Sequence, residues 1–306
     1  MKKLIIITIL AFCSLFATAQ QEVMVSQYMF NGLFINPAYT GSHKYFSATL
    51  LHRNQWVAFD GAPKTLLVSG DGPIANNKMG LGFIIAHDKI GVTSQTDINA
   101  SYSYNVKLGS GKLAFGLRGG LSNYSVKTED LKVWDADDGA LIADGESEFL
   151  PKFGFGTYYY AKRWYAGVSI PTLLAYEDGQ SFNINIDQSS FLRKHFLING
   201  GVVIEVSEKL KLKPSTLIKY VKSAPLEADI NLSLLYDETI WFGVSYRTND
   251  AIIGIIEYQA NKRFRVGYSY DFTITEIGNY SNGSHEIMIG YDFGKDLVNI
   301  KTPRFF

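Results

Sequence analysis

The five histidines, His43, His52, His87, His195 and His285, are the side chains best suited to acid–base or metal chemistry near neutral pH, and their spacing organises neither. No two share the interval that lets a pair of imidazoles hold a metal, and no Gly-x-Ser-x-Gly elbow or phosphate-cradling glycine loop occurs. His285 adjoins Glu286 on successive positions of an expected strand, so the two point to opposite faces and cannot form a simple dyad. The single cysteine, Cys13, lies in an apolar leader, which leaves no thiol beyond it for nucleophilic catalysis, disulfides or a thiolate metal site. Asp135, Asp137 and Asp138 have the look of a calcium loop, but the sixth place counted from Asp135 is Ala140 where such a loop needs glycine, although the twelfth is Glu146. With Glu129, Asp130, Asp144 and Glu148 nearby against Lys132, a solvated acidic loop is the plainer reading and adventitious calcium the other. No catalytic residue, cofactor or dedicated metal site is expected, and the chain is read as non-enzymatic.

What remains is recognition. The stretch Gln20–Ser42 sets Tyr28, Met29, Phe30, Leu33, Phe34 and Ile35 beside Gln27, Asn31 and Asn36. That mixture suits either a structural plug or a partner-docking arm more than a free tail. Pro37 fixes its own backbone and biases Asn36 toward extended geometry. The contact candidates here are Gln27, Tyr28, Phe30, Asn31, Asn36 and Pro37. A second group, Arg53, Gln55, Trp56, Phe59 and Pro63, falls on an expected first outer loop from Arg53 to Lys64, where an arginine–aromatic cluster could be a binding hot spot or Trp56 a lipid-interface anchor.

The elements that carry these residues follow from hydropathy. Two lysines, an apolar run from Leu4 to Phe16 and Ala17-Thr18-Ala19 have the form of an export signal over residues 1–19. Beyond it no apolar run reaches the roughly 18 residues of a membrane helix. Period two dominates instead: Ile98, Ala100, Tyr102, Tyr104, Val106 and Leu108 alternate with Asn99, Ser101, Ser103, Asn105 and Lys107 without exception. Fourteen strands are predicted, at 45–53, 64–71, 79–87, 96–108, 112–124, 151–160, 163–171, 193–205, 211–220, 227–237, 240–247, 251–258, 264–272 and 284–293, the second and ninth being the faintest. Even-numbered connections then hold two to seven residues and odd-numbered ones three to twenty-six. That sorting is the mark of an outer-membrane barrel with short periplasmic turns.

The fold class expected is therefore an all-β, transmembrane antiparallel up-and-down barrel of about 14 strands. Closure supplies every backbone group with a partner inside lipid. The organisation expected is a signal peptide at 1–19, a pre-strand segment at 20–44, the barrel at 45–293 and a tail at 294–306. Outward side chains should be apolar and lumen side chains polar, with Lys107, Arg118, Glu227, Asp229, Arg265, Asp271 and Glu286 among the latter. Lysines and arginines number 29 against 29 acids, which argues against a nucleic-acid partner. Gly80, Gly82, Gly116 and Gly120 suit close approach or bends in the wall.

Two motifs open the chain, Ser26-Gln27-Tyr28-Met29-Phe30-Asn31 and Asn36-Pro37-Ala38-Tyr39-Thr40-Gly41-Ser42. With Arg53-Asn54-Gln55-Trp56, Gly61-Ala62-Pro63-Lys64-Thr65, Gly80-Leu81-Gly82, Asp88-Lys89-Ile90-Gly91, Gly283-Ser284-His285-Glu286 and the closing Pro303-Arg304-Phe305-Phe306, the chain resembles the PorP/SprF family. The middle, about 125–260, matches only in strand rhythm, and Thr40 stands where the family more often has alanine. The resemblance implies an outer-membrane barrel of the type IX secretion and gliding-motility machinery in a Gram-negative bacterium. Its partners would be components of the periplasmic ring, or one large secreted surface adhesin that it helps to export and anchor. The alternative reading of the residues is a passive solute channel or hydrophobic-compound transporter, which would need an open lumen.

Overall fold

The computed structural model describes residues 24–127, 147–175, 194–221 and 224–294. The expected signal peptide, the acidic run with Asp135, Asp137 and Asp138, and the tail beyond Gly294 lie outside the described residues. Strands are β1 (Phe46–Asn54), β2 (Lys64–Ile74), β3 (Met79–Ile90), β4 (Thr93–Leu108), β5 (Gly111–Val126), β6 (Ser147–Tyr160), β7 (Trp164–Ala175), β8 (His195–Val202), β9 (Ile204–Glu205), β10 (Leu210–Val221), β11 (Glu227–Tyr236), β12 (Ile240–Arg247), β13 (Ala251–Gln259), β14 (Phe264–Thr273) and β15 (Ser284–Phe293). β8 and β9 are one wall strand broken at Val203, since both pair with β10. The wall thus has fourteen strands, each antiparallel to its chain neighbour, and β15 pairs with β1 from Phe46↔Phe293 to Asn54↔His285 to close the barrel.

The alternation sorts the two faces as lipid and lumen require. On β4, Ile98, Ala100, Tyr102, Tyr104 and Val106 are exposed on the outer surface while Asn99, Ser101, Ser103 and Asn105 are buried inside. This inverts the soluble pattern, in which the apolar face is the hidden one. Among the described residues no helix is long and apolar enough to cross a membrane. Connections at one end span 75–78, 109–110, 161–163, 206–209, 237–239 and 260–263, none longer than four residues. At the other end the fully described connections are 55–63, 91–92, 248–250 and 274–283, two of them nine or more residues long. Short turns mark the periplasmic end, the end at which β15 leads out at Phe293 and the pre-strand segment leads into β1.

Two expectations need correction. The third connection is only Gly91-Val92, not eight residues, because β3 and β4 keep pairing to Ile90↔Thr93 past the polar stretch at Asp88–Gln95. That stretch reads as loop from composition alone, but paired backbones tolerate polar side chains above the lipid. The lumen is also not uniformly polar. Leu51, Leu67, Ile84, Leu217, Leu235, Ile253 and Met288 face inward and are almost wholly buried. The reason is that the barrel has a core, and residues 24–42 fill it.

Candidate functional site: the occupied lumen

The pre-strand segment folds as three short helical turns, Tyr28–Phe30, Gly32–Ile35 and Pro37–Tyr39. No one of them could persist alone in water. Tertiary burial holds them. Val25, Tyr28, Phe30, Leu33, Ile35, Ala38 and Tyr39 join a single apolar cluster with the inward-facing wall residues. Phe30 lies against Trp241 with ring centroids 6.0 Å apart, and Tyr39 against Tyr158 at 5.7 Å.

Polar groups fix the segment at points along its length. At its start, the Ser26 and Gln27 backbone N–H groups each donate to Glu286, to Oε2 and Oε1, both at 2.8 Å. The Ser26 hydroxyl donates to Asp271 Oδ2 at 2.7 Å. Arg53 joins both carboxylates, with Nη2 2.8 Å from Asp271 Oδ2 and Nη1 3.4 Å from Glu286 Oε2. Arg247 forks onto Asp229 at 2.9 and 3.1 Å and reaches toward Asp271 at 3.8 Å. All of these side chains are buried. Two arginines face these three buried carboxylates, with the less buried Asp250 and Glu227 also 3.4 and 3.8 Å from Arg247, and the two backbone donors of the plug add positive polarity at Glu286. A carboxylate that accepts several N–H groups in a dry site is held far better than by a surface ion pair.

Further along, Asn31 Nδ2 donates to Ser69 Oγ at 2.9 Å, and Arg118 donates to the carbonyls of Leu33 and Phe34. Ser169 Oγ donates to the Ile35 carbonyl at 2.6 Å and Ser103 Oγ to that of Thr40, also at 2.6 Å. These wall contacts satisfy carbonyls that helices this short leave open. At the exit, Gly41 N donates to Asp71 Oδ2 at 2.8 Å, and His43 Nε2 lies 2.9 Å from the same oxygen.

Asn36 does two tasks at the middle. Its Oδ1 accepts the Ala38 N–H at 2.9 Å, capping the turn that Pro37 begins, and its Nδ2 donates to the Thr157 carbonyl at 3.0 Å. Asn36→Ala forfeits the cap and the amide's hydrogen bond to the wall, so a loss of about 1–3 kcal/mol is expected. The check is a lower temperature at which the purified barrel loses its compact, heat-modifiable form.

Glycines make the room. A Cβ on Gly116 would sit 2.1 Å from Ala38 N, on Gly156 2.1 Å from Asn36 Oδ1, on Gly80 2.2 Å from the Thr40 carbonyl oxygen and on Gly267 2.2 Å from Gln27 Oε1. These four line the lumen side of four different strands, where the plug backbone or its amides press directly on the wall. A cavity of about 60 Å³ remains toward the outer end, between Met24, Phe34 and Ile35 of the plug and Asp97, Arg118 and Lys152 of the wall. That is space for about two waters.

Of the sequence-predicted residues, Gln27, Tyr28, Phe30, Asn31, Asn36 and Pro37 are thus all buried in the lumen. Arg53 belongs with them and not with the first outer loop, since it lies on β1 and faces inward; Lys64 likewise begins β2, leaving residues 55–63 as the loop. Gln55, Trp56, Phe59 and Pro63 do lie there. The loop is tied to its neighbours: Gln55 N donates to the Pro63 carbonyl at 3.0 Å, Val57 N to the Gly283 carbonyl at 2.8 Å, and Gly91 N to the Gly61 carbonyl at 2.9 Å. Trp56 is half-buried with φ 45°, and Phe59 is exposed. Lys107, expected in the lumen, is exposed at the periplasmic mouth. Sequence reading anticipated close approach at Gly80 and Gly116 but missed Gly156, Gly267 and the plug's apolar seat. A signal existed for the seat: Leu50-Leu51, Leu66-Leu67, Ile84-Ile85, Leu234-Leu235, Ile252-Ile253 and Ile287-Met288 break the period-two alternation, and in each pair the inward member touches the buried cluster.

A closed fourteen-strand wall with an apolar outside, a charged and apolar inside and its own N-terminal segment packed through the middle defines a plugged outer-membrane β-barrel. Residues 17–291 match the family described as Type IX secretion system membrane protein PorP/SprF, and the chain belongs to that family. No curated protein sequence matches it. Among solved structures it is similar to the CymD monoaromatic hydrocarbon channel, with TM-score 0.51 and 12% identity, covering 86% of this chain and 93% of that one. The toluene transporter TbuX of Ralstonia pickettii has TM-score 0.49 and 9% identity, with 86% and 93% covered. Omp33 of Acinetobacter baumannii has TM-score 0.49 and 7% identity, with 83% and 100% covered. At these identities the likeness extends to the barrel fold alone.

Proposed function

We propose that this outer-membrane barrel supports type IX export or surface anchoring of a protein client through protein–protein contacts, as a docking platform and not as a conduit, with no chemical step of its own. The partners are components of the periplasmic secretion ring, a large secreted surface adhesin, or both. The occupied lumen carries this reading. Residues 24–42 are tied to the wall by ion pairs, backbone donors and an apolar cluster, and a solute path would have to break them. A porin spends its lumen on water; this barrel spends it on a folded insert whose surface matches the wall.

The test has two arms. Purified full-length protein in planar bilayers is expected to show no stable ohmic steps, whereas a variant lacking residues 24–42, confirmed as a barrel by heat-modifiable mobility, is expected to show them. Cells without the protein are expected to lose one or more type IX clients from their surface and medium. Stable conductance by the full chain together with unchanged client export would overturn the proposal and favour a solute channel.

A further inference from the structure

We propose that the periplasmic mouth beneath β3 to β7 is a docking surface for an acidic segment of a periplasmic protein. The inference rests on the secretion reading above for its biological setting, but its observations are independent of it. Lys107 and Lys112 are directly opposed cross-strand partners at the end of the β4–β5 hairpin. Like charges in that position repel, and neither has a carboxylate partner among the described residues: Lys112 Nζ reaches only the Asn77 carbonyl, at 3.4 Å. Lys78 in the turn before and Lys162 in the turn after are exposed and make no ion pair among the described residues. Three consecutive periplasmic turns therefore present four lysines without an ion pair among the described residues, beside Arg163, which pairs across to Glu205.

The next two turns of the same mouth are built differently, while the last, 260–263, again carries exposed Lys262 and Arg263. Glu205, Glu208, Asp237 and Glu238 all lie at the two turns 206–209 and 237–239, where Glu205 meets Arg163 at 3.2 Å and Glu238 meets Lys211 at 2.6 Å. Of these acids Glu205 is taken by Arg163 of the neighbouring turn and Glu238 by Lys211, whereas the four lysines beneath β3 to β7 have no carboxylate partner among the described residues.

Side-chain direction selects protein over lipid as the occupant. Lys107 stands two places beyond Asn105, whose amide is buried in the lumen and accepts from Tyr160 at 3.4 Å. It therefore shares the lumen face, and Lys112 opposite shares it too. Their ammonium groups project toward the mouth beneath the plug, while the neighbours that face the bilayer, Val106 and Leu108, are apolar. A basic surface at an aqueous mouth favours an acidic polypeptide by steering and by selectivity against basic competitors.

A photo-crosslinking side chain at Ser110, in the exposed turn between Lys107 and Lys112, tests this in intact cells, with the same group at Ser207 in the acidic arc as the comparison. The expected result is a Ser110 adduct with a protein whose captured segment is acidic. It should weaken about tenfold or more in Lys107→Glu/Lys112→Glu, with normal heat-modifiable mobility, and return when the captured segment's acids are changed to lysine. An adduct with phospholipid only, an adduct indifferent to the charge reversal, or none, overturns the proposal. Client export is read in the same cells: export that needs the barrel yet ignores the reversal removes this surface and leaves the secretion reading, whereas a charge-dependent adduct without any export defect supports the surface and removes that reading.

Discussion

Arg53→Ala is expected to destabilise the folded barrel by about 3–5 kcal/mol, the usual cost of leaving buried carboxylates without their cation. Arg53 bridges Asp271 and Glu286, and both are almost completely buried. Arg247 already holds Asp229 at 2.9 Å and stands 3.8 Å from Asp271, so it cannot replace the lost guanidinium without abandoning its own partner. Glu286 also accepts the Ser26 and Gln27 amides, so the start of the plug should loosen with the ion pair. The measurement is twofold: the temperature at which the compact form converts on gels, and protease cleavage within residues 24–42 of the intact barrel. Arg53→Lys should recover part of the loss, because one ammonium cannot serve two carboxylates as a planar fork does. Arg163→Ala, which removes an exposed pair with Glu205, should change stability by less than about 1 kcal/mol. Equal effects of the two alanine variants would refute the account of the plug's anchor.

The second large effect is steric. Gly116→Leu places carbon where the plug backbone runs, 2.1 Å from Ala38 N and 2.3 Å from Pro37 C by the position of Cβ alone. Backbone cannot rotate away as a side-chain tip can, and Pro37 has little freedom to give. The wall is held by a continuous ladder from β4 through β6, so the plug is the part that must move. The chain has no cysteine after Cys13, which permits a clean probe: Ala38→Cys is expected to resist maleimide in folded barrels and to react about tenfold faster or more when Gly116→Leu is added, the change that a loss of 1.4 kcal/mol in local stability would bring. Gly254→Ala serves as the comparison, since a Cβ there meets nothing within 4 Å. Labelling that stays slow in the Gly116→Leu barrel would mean the plug accommodates the side chain, and that the glycines are not its seat.

Strand number, pairing order and which residues face lipid were legible in the sequence because a spanning wall in hydrocarbon obeys one strong rule. Every backbone group needs a partner, and side chains alternate between two solvents. Ile98 to Val106 on β4 is that rule written out residue by residue. The family resemblance was legible too, in motifs that sit where the structure later shows close contact. Asn36-Pro37-Ala38 presses on Gly116 and Gly156, and Thr40 on Gly80. Even the first segment's mixture of Tyr28, Phe30 and Leu33 with Gln27, Asn31 and Asn36 limited it to a plug or an arm.

The choice between those two belonged to the tertiary structure. Local sequence could not make it, because the three helical turns have no stability apart from the surface they meet, and that surface is assembled from Leu51, Leu67, Trp241 and Met288 on strands far apart in the chain. Arg53 shows the same limit. By sequence it adjoins Trp56 and reads as part of a loop cluster, yet one more paired residue on β1 turns its side chain inward to carboxylates 218 and 233 positions away. Period two settled the wall; only closure of the barrel brought β1, β14 and β15 together and so decided which charges meet.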